Sequence, residues 1–364
     1  MTRPDIRSQT EREIQRQFEV WREPAYRVRQ LLHWLYDGRA ASWDEMTNLP
    51  KSLRHGLGET YTLAWPELAR RQGARDTTQK FLWRLADGAL IESVLIPASP
   101  ALYGEPSDRH TLCVSTQVGC AYGCKFCASG LDGWKRHLRV EEIVNQVLAV
   151  ERMEGGGGRT INNLVIMGMG EPLANYENLL PALRILNAPW GGKLGARKIT
   201  VSTSGLAPQI RRLADEPQQF RLAVSLHGAT DQTRGRLMPI NKKYPLGELT
   251  AACEYYQEKK GRMITLEYIL IAGVNDGLDQ APPLARLAHR LRARVNLIPY
   301  NNVEGLPWER PSEPAQEAFL AALERQKVAA TLRREKGGEI DAACGQLRLK
   351  TERELALERM KAEG

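Results

Sequence analysis

The densest chemistry in the sequence is one eight-residue stretch, Cys120-Ala-Tyr-Gly-Cys124-Lys-Phe-Cys127. Three thiolates so close together can wrap one soft metal centre. A structural zinc site wants four protein ligands, and His110, Cys113 or His137 would have to complete the set. A three-cysteine loop otherwise leaves one iron of a 4Fe–4S cluster open to a substrate or cofactor. Further polar groups stand where strands are expected to end: Gly168-Met-Gly170-Glu171-Pro172, Ser202-Thr-Ser-Gly205, Ser225-Leu226-His227 and Asn301. Each alone is an ordinary connector. Together they describe a ring of polar groups around one mouth.

The elements that must position these residues follow from hydrophobic periodicity. Beyond residue 110, strands are expected at Thr111–Val118, Asn163–Met167, Ile199–Thr203, Leu222–Leu226, Ile264–Ile271 and Val295–Pro299. Helical patterns lie between them near 140–152, 174–187, 206–214, 246–259 and 280–292. Six β/α units in succession predict an α/β fold with a parallel sheet, open or curved into a partial barrel, and ligands at the C-terminal ends of its strands. Residues 1–62 read as a small helical accessory domain, with Gly38 closing the helix that begins near Tyr26. Residues 63–109 read as a β-hairpin linker, turned at Asp87-Gly88, and a loop. The core is expected over 110–312. The C-terminal segment, 313–364, holds a helix near 313–326, a strand near 328–334, a Gly-rich turn before Cys344 and a charged helix. Cys253, among Leu249 and Tyr256, reads as core packing. Gly155–Gly158 lacks the Lys-Ser/Thr of a phosphate-binding loop.

The chain has 364 residues, 42% apolar and 26% charged, with net charge +8. That composition suits a globular protein with a core of normal size. No apolar run approaches the ~20 residues of a membrane helix, and the first residues lack a signal-peptide core. A cytoplasmic location is expected, where six cysteines point to metal or catalysis rather than bridges. Basic residues gather at Lys193, Arg197, Lys198, Arg211 and Arg212, again at Arg234, Arg236, Lys242 and Lys243, and again at Arg286, Arg290, Arg292 and Arg294. Three such clusters favour a nucleic-acid partner.

The cysteine spacing, with an aromatic before the last thiol, resembles the radical S-adenosylmethionine (SAM) superfamily. The finer resemblance is to the RlmN/Cfr family of RNA adenine methyltransferases. It rests on Leu112-Cys113-Val-Ser-Thr-Gln-Val-Gly-Cys120, Met167-Gly-Met-Gly-Glu-Pro, Met238-Pro-Ile-Asn-Lys-Lys-Tyr, Asn296-Leu-Ile-Pro and Gly338-Glu-Ile-Asp341-Ala-Ala-Cys344-Gly-Gln-Leu. Tyr26-Arg-Val-Arg-Gln-Leu and Trp43-Asp-Glu-Met-Thr-Asn-Leu-Pro extend it into the accessory domain, so it covers roughly residues 20–350. The resemblance implies a partial (β/α)6 barrel, a 4Fe–4S cluster on Cys120, Cys124 and Cys127, and two SAM molecules per turnover. It implies SAM contacts at Gly170, Glu171, Ser202, Ser225, Leu226, His227 and Asn301.

The same resemblance implies the route. A methyl group passes to Cys344, loses a hydrogen to the radical derived from a second SAM, and adds to the adenine ring. Glu92 takes the ring proton, and Cys113 releases the product as a disulfide forms. The implied substrates are 23S rRNA in the peptidyl-transferase centre, methylated at adenine carbon 2, and tRNA beside the anticodon. The implied electron donor is of the flavodoxin type, and the implied state is a monomer without membrane contact. Cfr-type methylation at carbon 8 is the alternative, because it uses the same cysteines. A non-catalytic, zinc-stabilised RNA-binding protein is the alternative of another class.

Overall fold

The structure is a computed structural model that describes residues 3–74, 77–98, 108–131, 133–156, 158–333 and 345–363. It opens with helices α1 (Glu11–Val20), α2 (Tyr26–Tyr36) and α3 (Lys51–Thr60). The start of α1 is written locally: the Thr10 hydroxyl accepts from the Glu13 N–H, and the Glu13 carboxylate accepts from the Thr10 N–H at 2.7 Å, a reciprocal capping box. α2 buries Val28, Leu31, Leu32, Leu35 and Tyr36 on one face, as their spacing predicts. Gly38 does not take the left-handed turn expected after α2. Arg39 does, at φ +50°, and the turn sends its guanidinium inward to the Gly158 carbonyl at 2.7 Å and the buried Glu151 carboxylate at 3.6 Å.

The strands are β1 (Glu67–Gly73), β2 (Gln79–Arg84), β3 (Leu90–Pro97), β4 (His110–Cys113), β5 (Gln117–Gly119), β6 (Trp134–His137), β7 (Asn163–Ile166), β8 (Ile199–Thr203), β9 (Arg221–Ser225), β10 (Thr265–Leu270), β11 (Arg294–Pro299) and β12 (Ala330–Leu332). Ten of them form one sheet in the order β1-β2-β3-β4-β7-β8-β9-β10-β11-β12. From β4 to β12 every neighbour is parallel, and β1, β2 and β3 add an antiparallel flank. The helices after β4 are α4 (Val140–Glu154), α5 (Tyr176–Asn187), α6 (Ala207–Asp215), α7 (Asp231–Leu237), α8 (Leu246–Lys260), α9 (Ala281–Arg290), α10 (Glu313–Arg325) and α11 (Gln346–Glu363). The hairpin turn at Asp87-Gly88 forms as expected, with Gly88 at φ +80°. Cys253 is fully buried in α8.

Two differences from the expected elements matter for the site. The strand expected over Thr111–Val118 is broken after Cys113. Gly168 approaches so closely that a Cβ there would lie 2.6 Å from the Val114 backbone, and Ser115 turns its hydroxyl to the Glu92 carbonyl at 2.6 Å. The chain thus leaves the sheet, and β5 pairs with β6 instead. The second difference is α7, hidden in a polar stretch and started by the Thr230 side chain.

The N-terminal helices are fastened to the core by Arg7, which is fully buried. Its guanidinium donates to the Ala64 and Ala40 carbonyls at 3.2 and 3.1 Å and to Asn145 Oδ1 of α4 at 3.3 Å, and it lies 3.9 Å from the Trp65 ring centre. One continuous apolar cluster joins Ile6 and Leu31 to Ile143, Leu164 and Val224. No helix among the described residues is long and apolar enough to cross a membrane.

Candidate active site

A cavity of about 370 Å³ opens at the C-terminal ends of the parallel strands. Its volume is that of a small-molecule site. Cys120, Cys124 and Cys127 line it, as do Cys113, Gly170, Glu171, Ser202, Ser225, His227 and Asn301. These residues come from β4, the loop after β5, and the ends of β7, β8, β9 and β11, so 188 residues of sequence separation collapse onto one mouth.

The cysteine loop is held by its backbone. Cys120 N–H donates to the Gly133 carbonyl at 3.0 Å, Lys125 N–H to the Leu237 carbonyl at 3.0 Å, and Cys127 N–H to the Cys124 carbonyl at 3.1 Å. Trp308 donates from its indole to the Lys125 carbonyl at 2.9 Å. Burial pushes the Cys120 thiol up to about 12 and the Cys124 thiol well above its ordinary value. Such thiols ionise when a metal replaces their protons. No three His, Cys, Asp or Glu side chains among the described residues are disposed to hold one metal ion. His110 and His137 do not line the cavity. The three thiols of the loop share with Cys113 and the strand ends a chamber with room for a larger group, where a structural zinc site is closed by four ligands. Ser129, beside this wall, buries a hydroxyl with no hydrogen-bond partner among the described residues, a donor left for a polar ligand.

The opposite wall is built from strand ends. Gly170 sits at φ +97°, and a Cβ there would strike the Gln117 side chain at 2.5 Å, so only glycine lets this turn close against β5. Glu171 is a clasp: its carboxylate accepts the Leu173 N–H at 3.0 Å and the Ser204 N–H at 2.6 Å. Burial pushes its carboxyl upward, opposed by those hydrogen bonds. His227 takes the left-handed backbone, φ +55°. Its Nδ1 accepts the Ile269 N–H at 3.0 Å, which leaves the proton on Nε2. Burial, and then the nearby Arg234 charge, lower its pKa to about 3, so the ring is a neutral donor, packed edge-on against Phe126. Leu226 differs from the expected contact. Its side chain belongs to the apolar core, and its backbone bonds the Glu267 and Arg234 groups.

Glu92 lies on β3 and does not line the cavity. Its carboxylate meets Lys80 Nζ at 2.9 Å and accepts the Gly345 and Arg348 N–H groups, each at 2.7 Å. It therefore caps the start of α11. Cys344 falls outside the described residues. Gly345, which follows it, packs against Ser129, where a Cβ would lie 2.8 Å from the Ser129 nitrogen.

Several residues of the site were not singled out from sequence. Arg234 was read as part of a basic cluster, yet it is fully buried. It donates to the Ser225 and Leu226 carbonyls at 3.0 and 2.7 Å and to the Ser204 carbonyl, so it ties the ends of β8 and β9 together. Lys193, Arg212 and Arg290 of the expected clusters are engaged by Asp37, Glu177 and Glu254. Glu267 and Arg333 line the cavity. Burial raises the Glu267 carboxyl, which Asn296 bonds at 2.6 Å. An acid inside the apolar run Thr265-Leu-Glu-Tyr-Ile-Leu was the available signal.

Comparison with known proteins agrees with this geometry. The family model described as "Radical SAM superfamily" matches residues 114–280, and that described as "Ribosomal RNA large subunit methyltransferase N-terminal domain" matches residues 5–63. "Probable dual-specificity RNA methyltransferase RlmN 3" of Opitutus terrae is 56% identical, over 91% of each chain. "Dual-specificity RNA methyltransferase RlmN" of an Anaeromyxobacter species is 47% identical, over 95% of this chain and 90% of that one. A crystal structure of a radical SAM methyltransferase from Sphaerobacter thermophilus superposes with a TM-score of 0.88 at 45% identity, covering 94% of this chain and 98% of that one. The fold and cavity are those of a radical SAM enzyme. Within that class the chain belongs to the RlmN family of RNA methyltransferases. Its cofactors are accordingly a 4Fe–4S cluster and SAM.

Proposed function

We propose that the chain methylates carbon 2 of adenine in the peptidyl-transferase centre of 23S rRNA and in tRNA beside the anticodon. Cys344 carries the methyl group and Cys113 resolves the product through a transient disulfide, with two SAM molecules consumed per turnover and an electron donor of the flavodoxin type. Residues 1–62 serve as an RNA-binding accessory domain, and the enzyme works as a cytoplasmic monomer. The observation that carries the reading is the single cavity shared by Cys113 and the three cysteines of the loop.

In this reading Cys120, Cys124 and Cys127 hold the cluster, which when bound supplies the electron that splits SAM. Gly170, Ser202, Ser225, His227 and Asn301 orient SAM. Asn301 is steadied by Arg310 at 3.3 Å, and the His227 ring offers its Nε2–H as donor. Leu226 and Glu171 act one step back, through the backbone and through the clasp on Ser204. Glu92 is the proton acceptor of this reading only when its carboxylate is released from the start of α11; while it caps α11 it holds the residue after Cys344 beside the cavity wall.

The test is mass spectrometry of 23S rRNA and tRNA from a host lacking its own enzyme and expressing this chain. 2-Methyladenine in both RNAs is expected. 8-Methyladenine in its place would assign the carbon 8 reaction, and unmodified RNA from iron-loaded enzyme would overturn the proposal.

A further inference from the structure

The parallel strands carry their catalytic groups at one end, and the opposite end is basic. Arg109 precedes β4, Arg197 and Lys198 precede β8, Arg221 begins β9, Arg262 precedes β10, and Arg294 begins β11. The register aligns these starts: Arg221 lies opposite Thr200 of β8, and Arg294 opposite Thr265 of β10. Arg109, Lys198, Arg221 and Arg294 are exposed. Arg221, Arg262 and Arg294 form no ion pair with a described carboxylate, and Arg262 reaches the neutral Gln219 amide at 3.2 Å. Asp108 adds one negative charge beside Arg109. After burial, the charges of Arg109, Arg294 and Arg262 lower the pKa of Arg221, so the guanidinium groups feel one another.

Like charges brought this close, as Arg221 and Arg294 are, destabilise the free protein, which is the expected cost of a polyanion site. Five of the six cations are arginines, whose forked donors suit phosphate. At about 4.8 Å per strand, the edge from β4 to β11 spans roughly 25 Å, several phosphates of a nucleic-acid backbone. Seen from the cavity this edge is about 20 Å away, the length of a six-residue strand. An acidic electron-donor protein seated there would be at the wrong end of the strands to reach the cysteine loop.

We infer that the N-terminal rim of the sheet, centred on Arg221 and Arg294, is a second RNA-docking surface that grips the phosphate backbone of the substrate remote from the target adenine. The inference rests on the proposed action on RNA. It implies that long structured RNA contacts both ends of the barrel, while a short hairpin bearing the target adenine contacts only the cavity end.

The experiment compares the full chain with R221Q/R294Q. Binding of a transcript of the peptidyl-transferase region and of a short hairpin with the same adenine is followed by fluorescence anisotropy across a salt series. For the long transcript the variant should lose about tenfold in affinity at moderate salt, and the slope of log K against log salt should flatten by about 1.5 to 2. Hairpin affinity, iron content and SAM cleavage should be unchanged, and the free variant should melt no lower than the parent. Equal losses for both RNAs, or an unchanged slope, would overturn the inference. So would an unchanged RNA slope with weakened binding of an acidic electron-donor protein. A parent chain that binds and methylates neither RNA would instead sink the reading on which the inference rests.

Discussion

Lys80 and Glu92 lie diagonally across β2 and β3, their charged atoms 2.9 Å apart and both side chains withdrawn from solvent. The remaining capacity of the carboxylate goes to the first N–H groups of α11, the end of a helix that favours a negative charge. Strand pairing in one part of the chain thus fixes the start of a helix some 250 residues later. Removing only the cation leaves a buried carboxylate short of its partner. Lys80→Met should destabilise the protein by roughly 3–5 kcal/mol in urea unfolding, and Lys80→Met/Glu92→Gln should recover much of that. Equal stability of the parent and the Lys80 variant would show the pair to be energetically idle.

Replacement of Cys120, Cys124 or Cys127 by Ala should abolish the brown colour of the anaerobically purified protein along with methylation. Stoichiometric iron and sulfide in the triple variant would remove these residues from the cluster.

Loss of Cys344 should prevent methyl loading, so that RNA stays free and unmodified. Loss of Cys113 acts later, after the carbon has joined the ring. Cys113→Ala should therefore accumulate protein covalently linked to RNA, visible as a shifted band on a denaturing gel, and Cys344→Ala should not. Free, unmodified RNA from both variants would contradict the resolving role of Cys113.

His227 makes stability depend on acidity. Its folded pKa is about 3 against an ordinary value of 6.5. Between those values the unfolded chain binds a proton that the folded chain does not, so stability falls as pH drops below 6.5. The contribution approaches about 1.4 kcal/mol per pH unit. Asn tolerates the left-handed backbone and can accept the Ile269 N–H without titrating. The stability curve of His227→Asn should accordingly be flatter than that of the parent between pH 6.5 and 4.5. Parallel curves would show that the ring is protonated in the fold.

What could be read from sequence were groups whose role is set by their own strand. Ser202 and Ser225 follow apolar runs, so their place at the mouth comes with the β/α pattern, and the cysteine loop is a single local segment. What could not be read depends on register or on a distant element. Lys80 looks like an ordinary polar strand residue until β2 and β3 pair. Arg234 looks like surface charge until the carbonyls at the ends of β8 and β9 converge on it. The break after Cys113 lies against a glycine 55 residues further on, whose missing Cβ leaves room for it.

Arg7 bears on how such proteins can be recombined. A module boundary drawn near residue 63 looks natural, since one family model ends there. Arg7 crosses it, because its guanidinium is shared between the Ala40 and Ala64 carbonyls and an asparagine of the core. A chimera joining the first sixty residues of one relative to the core of another would have to match the arginine with its Asn145 counterpart. A mismatched junction would leave a charge sealed inside the seam with too few acceptors, and the two halves would then compete to hydrate it rather than close.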